Sequence, residues 1–531
     1  MKLGIDFGTT RIVIAAADRG NYPLVSFDAP DGATADWYPS LVAVRGEDRR
    51  YGWAAWEAQT EEGWTTIRSI KRLLEGGGPR TVIDLGESQV SLQELLQGLM
   101  FDLRTALTER SNLNIKNEET LQIVLGVPAH ANSNQRFLTV EAFRRAGFDV
   151  LGVLNEPSAA SIEFGHRERV GKGPKESMLV YDLGGGTFDA SLVALDDNVH
   201  HVIASEGIPS IGGDEFDQIL ADLALDAANI PTQERDAITA AGWFRLLDEC
   251  RIKKEALNPN SRRLVVELES VNSDLTTVVV PVPAFYAAAR PLVEETMDAT
   301  EDLLSKHGQS QFDVLYLTGG GSELPLIARM LRERFGRRVR RSSYTRSATA
   351  IGLAIQADRP DRYRLSEQLS RFFGVWREAD QGSRIIFDPL FLKGTQLPAS
   401  GEPSLRITRE YSPVHNIGHF RFLECSHRAA NGDPTGEVTL WDDIRFAFDP
   451  KLAESESLES EGILISTQAA LERVQESYEC DSSGSITVTI ENRTSGYSRS
   501  YSLGRWSQDE KPIPAVRRRK KPGQRAASSS A

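Results

Sequence analysis

MLVYDLGGGTFDASLVAL, residues 178–195, is the stretch of sequence that decides the fold. An apolar run ends at Asp182, three glycines follow at 184–186, and a second apolar run begins after Thr187. Apolar runs on either side of a glycine turn predict two antiparallel strands joined by a tight loop. Glycine lets the main chain approach an anion closely, so such a turn is a candidate phosphate contact.

The same arrangement occurs 176 residues earlier, where the strand-like runs 2–6 and 11–17 flank the turn Phe7-Gly8-Thr9-Thr10. This internal repeat predicts two related α/β lobes that face each other across a cleft. A third glycine cluster, at 319–321, follows a strand and precedes a helix predicted over 325–335. Phosphate-bound Mg²⁺ is usually held by one or two carboxylates and by water. Asp6 and Asp182, which end the first strands of the two hairpins, are therefore predicted to contact a metal through water.

The composition excludes several classes of protein. With 40% hydrophobic and 26% charged residues, the 531-residue chain is typical of folded proteins. No run of about 18 apolar residues occurs, so no membrane span is expected. Three well-separated cysteines predict neither a disulfide framework nor a metal site, and we expect a cytoplasmic protein.

The charge is unevenly distributed. The net charge is −14, yet residues 511–531 contain seven basic residues and no acid, which leaves −21 on the other 510 residues. These 510 residues are acidic enough to repel nucleic acid, so no DNA binding is expected. The basic tail itself is interpreted as a solvated, disordered end, with contact to RNA, acidic lipid or an acidic partner as the alternative.

The chain changes character near residue 358, where a polar break is followed by short alternating strands with turn signals. Helices are also predicted over 133–146 and 158–164. The predicted organisation is a duplicated two-lobed α/β domain, a polar linker, a β-sandwich domain and a disordered basic tail. These four parts cover residues 1–357, 358–370, 371–508 and 509–531.

Together these motifs resemble those of the seventy-kilodalton heat-shock chaperone family (DnaK-like), within the actin and sugar-kinase ATPase superfamily. The matching segments are 4–10, 70–73, 127–136, 155–160, 182–189, 212–217 and 319–325. A fainter resemblance joins the part after residue 370 to the family's β-sandwich peptide-binding domain. No helical pattern follows residue 508, so the family's α-helical lid is expected to be missing.

The resemblance implies an ATP hydrolase that uses Mg²⁺ and binds ATP and ADP, and it assigns roles to residues. Lys71 would hold the attacking water and neutralise charge on the γ-phosphate, and Thr187 would relay a proton or contact that phosphate. Asp189 and Glu156 would orient water and metal. The implied catalytic residues are Lys71, Glu156, Asp182, Thr187 and Asp189. The implied nucleotide contacts are Asp6, Gly8, Thr9, Thr10, Gly184, Gly185, Gly186, Gly212, Gly213, Lys254, Gly319, Gly320 and Gly321.

Several of these residues also have ordinary structural interpretations. Lys71 alone reads as an exposed lysine, Glu156 as an acid that caps a helix, and the turn threonines as groups that bond their own backbone. Pro128 and Arg136 resemble the pair that passes the nucleotide state to the other domain. Arg136 equally fits a surface position on a helix.

The chain departs from the family pattern at several positions. Glu255 and Glu323 stand where the family has arginines that flank the adenine ring, and Arg346 replaces an aspartate. Lower affinity for adenine nucleotide or a relaxed base preference is therefore expected. Gly152 replaces an arginine that engages J-domain co-chaperones. The segment 359–370 is charged where the family linker is apolar, so we do not expect it to dock on the ATPase domain.

The leading hypothesis is an ATP-dependent chaperone-like protein whose lidless β domain binds unfolded or extended polypeptide. Nucleotide-exchange factors and J-domain proteins are the co-chaperones that the family implies, although Gly152 argues against the latter. The alternative is a nucleotide-sensing scaffold that has one dedicated partner and little or no ATP turnover. A sugar-kinase-like phosphotransferase is a third hypothesis, against which the β domain argues.

Overall fold

The computed structural model describes residues 1–502 except for short gaps. The gaps are residues 60, 75, 79–80, 86–87, 117–118, 169–175, 197, 270, 272–274, 309–311, 380–383, 399–401, 454–457, 459 and 483. The basic tail, the last residues of the predicted β domain and the expected absence of a lid therefore lie outside the described residues.

The described part of the chain alternates strands and helices up to residue 358 and is almost purely β after it. The strands β1 to β28 are Lys2–Phe7, Arg11–Ala16, Phe27–Asp28, Thr34–Ala35, Tyr38–Pro39, Val42–Arg45, Asp48–Tyr51, Thr65–Ile67, Val82–Asp84, Gln89–Ser91, Gln122–Val127, Asp149–Asn155, Glu176–Leu183, Phe188–Asp196, Val199–Ile208, Arg263–Val266, Val278–Pro281, Val314–Thr318, Val339–Arg341, Arg364–Ser366, Phe372–Ala379, Arg384–Phe391, Leu405–Tyr411, Ile417–Arg428, Pro434–Ala447, Val474–Cys480, Ile486–Asn492 and Tyr497–Ser502. The helices α1 to α10 are Gly52–Ala58, Leu92–Glu109, Ser133–Arg145, Glu156–Glu168, Gly213–Ala227, Thr232–Arg235, Ala240–Glu255, Val282–Lys306, Pro325–Phe335 and Ala348–Asp358.

Two sheets with the same local topology form the first part of the chain. The first has the strand order β12-β11-β1-β2-β5, and the second has the order β19-β18-β13-β14-β15-β20. In each sheet an antiparallel hairpin, β1–β2 or β13–β14, pairs through its first strand with a parallel neighbour, β11 or β18. The predicted internal repeat is therefore present in the structure. Each sheet has its own large apolar core.

Helix α10 joins the two lobes by packing against α4 and β1. The approach is close enough to require glycine at two positions. A Cβ on Gly352 would overlap the carbonyl oxygen of Ala159, and one on Gly4 would overlap the backbone of Ala354. Such contacts fix the position of α4, whose first residue, Glu156, belongs to the candidate site.

Three of the predicted helices are present, and their predicted ends differ from the observed ends to different degrees. The helix predicted over 325–335 is confirmed at both ends. The helix predicted over 133–146 ends one residue earlier and begins after Asn132, whose side chain caps the backbone N–H of Gln135. The helix predicted over 158–164 is longer and runs from Glu156 to 168, because Pro157 is compatible with a first helical turn.

The segment expected not to dock on the preceding domain does dock, and that expectation was wrong. Residues Arg364–Ser366 form β20, which pairs in parallel with β15 and becomes the edge strand of the second sheet. Glu367, 7% exposed, accepts a hydrogen bond from the backbone N–H of Asn155 at 3.0 Å. Backbone pairing does not depend on the side chains being apolar, so a charged segment can still be held.

After β20 the chain forms two antiparallel four-stranded sheets, with the orders β22-β21-β24-β25 and β23-β26-β27-β28. Side chains from both sheets share one apolar core, which includes Phe373, Phe422 and Tyr478. Arg377 ties the two sheets together, because it donates to Glu476 on one and to Asp388 on the other.

No helix among the described residues is long and apolar enough to cross a membrane.

Candidate functional site

The first two glycine turns face each other across the cleft between the lobes. A Cβ on Gly185 would overlap the hydroxyl of Thr10, and one on Gly186 would lie 2.7 Å from Thr9 Cγ2. Gly8 is equally constrained, because its Cβ would overlap the carbonyl oxygen of Arg11. These turns can therefore present main-chain N–H groups from both lobes to one anion.

Two further predicted segments close around the second turn. Gly213 N–H donates to the carbonyl oxygen of Gly184 at 3.0 Å, and a Cβ on Gly212 would lie 2.6 Å from the backbone of Gly186. Lys254 Nζ donates to the carbonyl oxygen of Gly213 at 2.6 Å and also bridges Asp217. Lys254 thus holds in place the segment that packs against the turn 184–186.

The third glycine cluster lies against Asp182. Gly319 has φ +83°, and its Cβ would overlap the Asp182 carboxylate. A Cβ on Gly321 would lie 2.7 Å from the carbonyl oxygen of Gly184. Glycine is required here both by the positive φ and by the lack of space. The other glycines predicted from the sequence therefore border one cleft, whereas a Cβ on Gly320 would lie 3.8 Å from the Arg346 side chain.

A group of buried carboxylates lies beside these turns with one lysine among them. Lys71 Nζ donates to Glu156 Oε1 at 2.7 Å, and both side chains are 11% exposed. Asp182 and Asp189 are register partners at the ends of β13 and β14. Lys71 is therefore not the exposed lysine that its local sequence allows. Thr187 closes the same turn, because its carbonyl oxygen accepts from the Gly184 N–H.

The electrostatics of this group show an excess of negative charge. Burial and the nearby Glu156 raise the pKa of Asp6 to about 7, although Lys71 opposes them. Burial, together with Glu156, Asp189 and Asp6, raises the pKa of Asp182 well above its usual value. Burial alone would lower the pKa of Lys71, but the carboxylates of Glu156 and Asp6 outweigh it and raise that pKa. The site therefore favours an additional cation.

The donor set fits a metal held through water rather than directly. Among the described residues, no three His, Cys, Asp or Glu side chains are close enough together to bind a metal ion. The Asp6 carboxylate is nevertheless among the groups that raise the pKa of Asp182, so a cation beside the two would be favourable. One or two carboxylates with retained waters is the arrangement that Mg²⁺ prefers beside phosphates.

Two residues that the sequence analysis did not single out also contact this site. His130 Nδ1 lies 2.8 Å from Asp189 Oδ1 and joins the segment after β11 to the second lobe. Arg72 donates to the carbonyl oxygen of Gly186 at 2.7 Å and forms an ion pair with Glu215. In the sequence, His130 lies two residues after Pro128, and Arg72 directly follows Lys71. This proximity to predicted site residues was the available signal for both.

Three of the residues that depart from the family pattern, Glu255, Glu323 and Arg346, belong to one ion-pair network. Arg346 bridges Glu255 at 2.9 Å and Glu323 at 2.6 Å. Glu255 also accepts from Arg11 of the first lobe at 2.8 Å and lies 3.5 Å from Arg251. The two acids and the arginine thus compensate each other's charge. In the sequence alone, the three positions stand as separate changes.

A contact path leads from the site to the β part of the chain. Arg136 is only partly exposed and donates to the side-chain oxygen of Asn155, so it is not the free surface residue that its local sequence allows. Burial lowers the pKa of Arg136, against the effect of the surrounding acids. At the start of α3, Ser133 donates through its backbone N–H and its hydroxyl to Glu424 on β24.

The fold defines the class of protein: a mixed α/β chain with a duplicated, two-lobed ATPase-type domain. The model of the family described as Hsp70 protein matches residues 2–359. The chain belongs to the Hsp70 family.

The chain is also similar to curated chaperones. It is 31% identical over 375 residues to Chaperone protein HscA of Serratia proteamaculans (strain 568). It is 32% identical over 378 residues to the Chaperone protein HscA homolog of Burkholderia pseudomallei (strain 668). Each alignment covers 67% of this chain and 58% of the relative, so the chain matches less than two-thirds of the length of these proteins.

Proposed function

We propose that this protein is an ATP-dependent chaperone that binds and hydrolyses ATP with Mg²⁺ and holds extended polypeptide in its β domain. The observation that carries the proposal is the convergence of duplicated glycine turns on a buried carboxylate group with a single lysine. Family membership supports a chaperone role. The cytoplasmic location and the co-chaperones expected from the sequence remain predictions.

In this proposal the phosphates lie between the turns 8–10 and 184–186. Main-chain N–H groups, with Thr9 and Thr10, bind the phosphate oxygens. Asp6 and Asp182 would hold Mg²⁺ through water, and the ion supplies charge neutralisation when it is bound. Preorganised donors of this kind account for most of the catalysis in phosphoryl transfer.

Lys71, Glu156, Asp189 and Thr187 would act on the attacking water. Glu156 holds the Lys71 ammonium in place, so that ammonium points at the developing charge rather than at solvent. Asp189, held by His130, would accept a hydrogen bond from the water and orient it. Thr187 would contact the γ-phosphate. These roles require only positioning and charge, which the observed contacts supply.

The β part is proposed to be a β-sandwich domain, residues 371–508, that binds polypeptide without a helical lid. Strand edges would pair with the backbone of an extended client, and apolar side chains would fill pockets beside it. Exposed apolar residues on this part support such a surface, among them Leu440 and Leu464, which are 71% and 66% exposed. Without a lid, client exchange should be fast.

Calorimetry with ATP, in the presence and in the absence of Mg²⁺, tests the proposal. We expect saturable binding that requires Mg²⁺, and slow hydrolysis that an unfolded peptide accelerates. The absence of Mg²⁺-dependent ATP binding would refute the nucleotide half of the proposal. ATP binding without any effect of peptide would refute the chaperone half.

The ion-pair network at Glu255, Arg346 and Glu323 favours a second candidate, a nucleotide-sensing scaffold with a dedicated partner. Glu255 and Glu323 are carboxylates and cannot stack on a base as the arginines expected at these positions would, so nucleotide binding and turnover would be weak. Single-turnover hydrolysis discriminates between the two candidates. A rate that Lys71→Ala leaves unchanged would favour the scaffold.

A further inference from the structure

A second polar cavity lies on the second lobe, apart from the nucleotide cleft. It has a volume of about 260 Å³ and is lined by Phe164, Arg167, Tyr316, Arg340, Arg341 and Ser343. Its floor is aromatic and closed, because Phe164 and Tyr316 are 2% and 4% exposed. Its walls are the end of α4 and the edge strand β19, which pairs with β18. Three guanidinium groups therefore surround one depression.

The charge of this region stands out against the rest of the chain. Residues 329–346 contain eight arginines and one acid, a net charge of +7 in a chain whose total is −14. A cluster of one sign in a concave surface focuses the electrostatic potential and attracts the opposite charge. Two of these arginines, Arg340 and Arg341, line the cavity together with Arg167, so the cavity favours an anion over a cation.

Two of the three arginines are held in place by neighbouring side chains. Arg167 donates to Ser343 Oγ at 3.0 Å and lies 3.7 Å from the buried Glu163. Arg341 bonds Thr345 and bridges Glu323 at 3.3 Å. A guanidinium has five N–H donors, and these contacts use only some of them. Positioned guanidinium groups with remaining donors are the usual means of binding phosphate in a bidentate way.

We propose that this cavity binds a small molecule that carries a phosphate monoester. Its volume equals that of about eight or nine water molecules at ~30 Å³ each, which suits a phosphate with a short carbon group. It is too small for a nucleic-acid chain or a folded partner. Because none of the six lining residues belongs to the nucleotide site, this proposal stands independently of the proposed ATPase.

Titration with inorganic phosphate and with glycerol phosphate, by calorimetry at low salt, tests the proposal. A saturating non-hydrolysable ATP analogue with Mg²⁺ fills all three phosphate positions of the proposed nucleotide cleft and keeps added phosphate out of it. The test variant is Arg167→Ala/Arg340→Ala. The matched control is Arg332→Ala/Arg337→Ala, which removes the same charge from exposed positions outside the cavity.

We expect one saturable site in the native chain and in the control, and at least about tenfold weaker binding in the test variant. If the double variant does not fold, Arg340→Ala alone serves as the test, because it keeps the contact between Arg167 and Glu163. A measurable loss of phosphate binding in that variant supports the proposal. No saturable binding by the native chain would overturn the proposal. Equal losses in both double variants, with phosphate or with a single-stranded RNA, would overturn it in favour of a diffuse basic surface.

Discussion

The bond between Arg11 and Glu255 joins the two lobes directly, and its removal should speed the release of nucleotide. Arg11 begins β2 in the first lobe, and Glu255 ends α7 in the second. The two side chains are 17% and 25% exposed, and they are linked through both carboxylate oxygens at 3.0 and 2.8 Å. In the proposed ATPase, a nucleotide in the cleft would leave only when the lobes separate. Glu255→Gln removes the charge and keeps the shape.

The pKa of Glu255 gives the size of the effect. Burial would raise this pKa, but Arg11, Arg251 and Arg346 outweigh it and lower the pKa from 4.5 to about 2. The difference corresponds to about 3 kcal/mol of favourable interaction with the carboxylate. This interaction is present above the unfolded-state pKa and is lost only as the pH falls through about 2. Only the interaction with Arg11 crosses between the lobes, and it is a share of this total. Nucleotide release from Glu255→Gln should therefore become about ten- to a hundredfold faster. Glu255 should add no pH dependence to this rate between pH 6 and 8.

Stopped-flow displacement of a fluorescent ADP analogue measures the release rate. Glu323→Gln is the matched control, because Glu323 bonds Arg341 and Arg346 within the second lobe only. Arg11→Gln should reproduce the effect of Glu255→Gln, and combining the two should add little. An unchanged rate in Glu255→Gln, or an equal increase in the control, would refute the interlobe role.

Three other substitutions test the site, the contact with the β part and the packing. Lys71→Met should slow single-turnover hydrolysis by about a hundredfold or more, because it removes the ammonium that lies beside Glu156 and Asp6; a rate close to native would contradict its role. Glu424→Ala leaves the donors of Ser133 without their acceptor, a cost of about 1–3 kcal/mol, so limited proteolysis between 358 and 370 should accelerate. Gly352→Val should lower the melting temperature by several degrees through overlap with α4, whereas Gly76→Val, which has open space around it, should not.

The sequence was sufficient for the features that depend on neighbouring residues. The two hairpins, their terminal aspartates and the helix over 325–335 were predicted correctly, because turn glycines and apolar alternation act locally. The convergence of the turns followed from the repeat itself. The sequence also predicted Asp6 and Asp182 near each other, and the pKa of Asp182 is indeed raised in part by Asp6.

The features that the sequence did not reveal depend on distant partners. Arg346 lies 91 residues from Glu255, and no local pattern indicates that they pair. The local sequence around Arg136 fits a surface position on a helix, and only the fold brings its guanidinium against the side chain of Asn155. Likewise, β20 is a strand because the edge of β15 is available to it, and an available edge is a property of the assembled sheet.

The error about the segment 359–370 shows how a charged linker can still communicate with the candidate site. Within this segment the Glu367 carboxylate accepts from the N–H of Asn155, and the side chain of Asn155 accepts from Arg136. The next residue is Glu156, which holds Lys71. A displacement of either the linker or α3 therefore acts on the residue that precedes Glu156, through polar bonds rather than through buried apolar side chains. Polar bonds are directional, so a small rotation breaks them outright, and a coupling of this kind does not need the leucine-rich linker of the family.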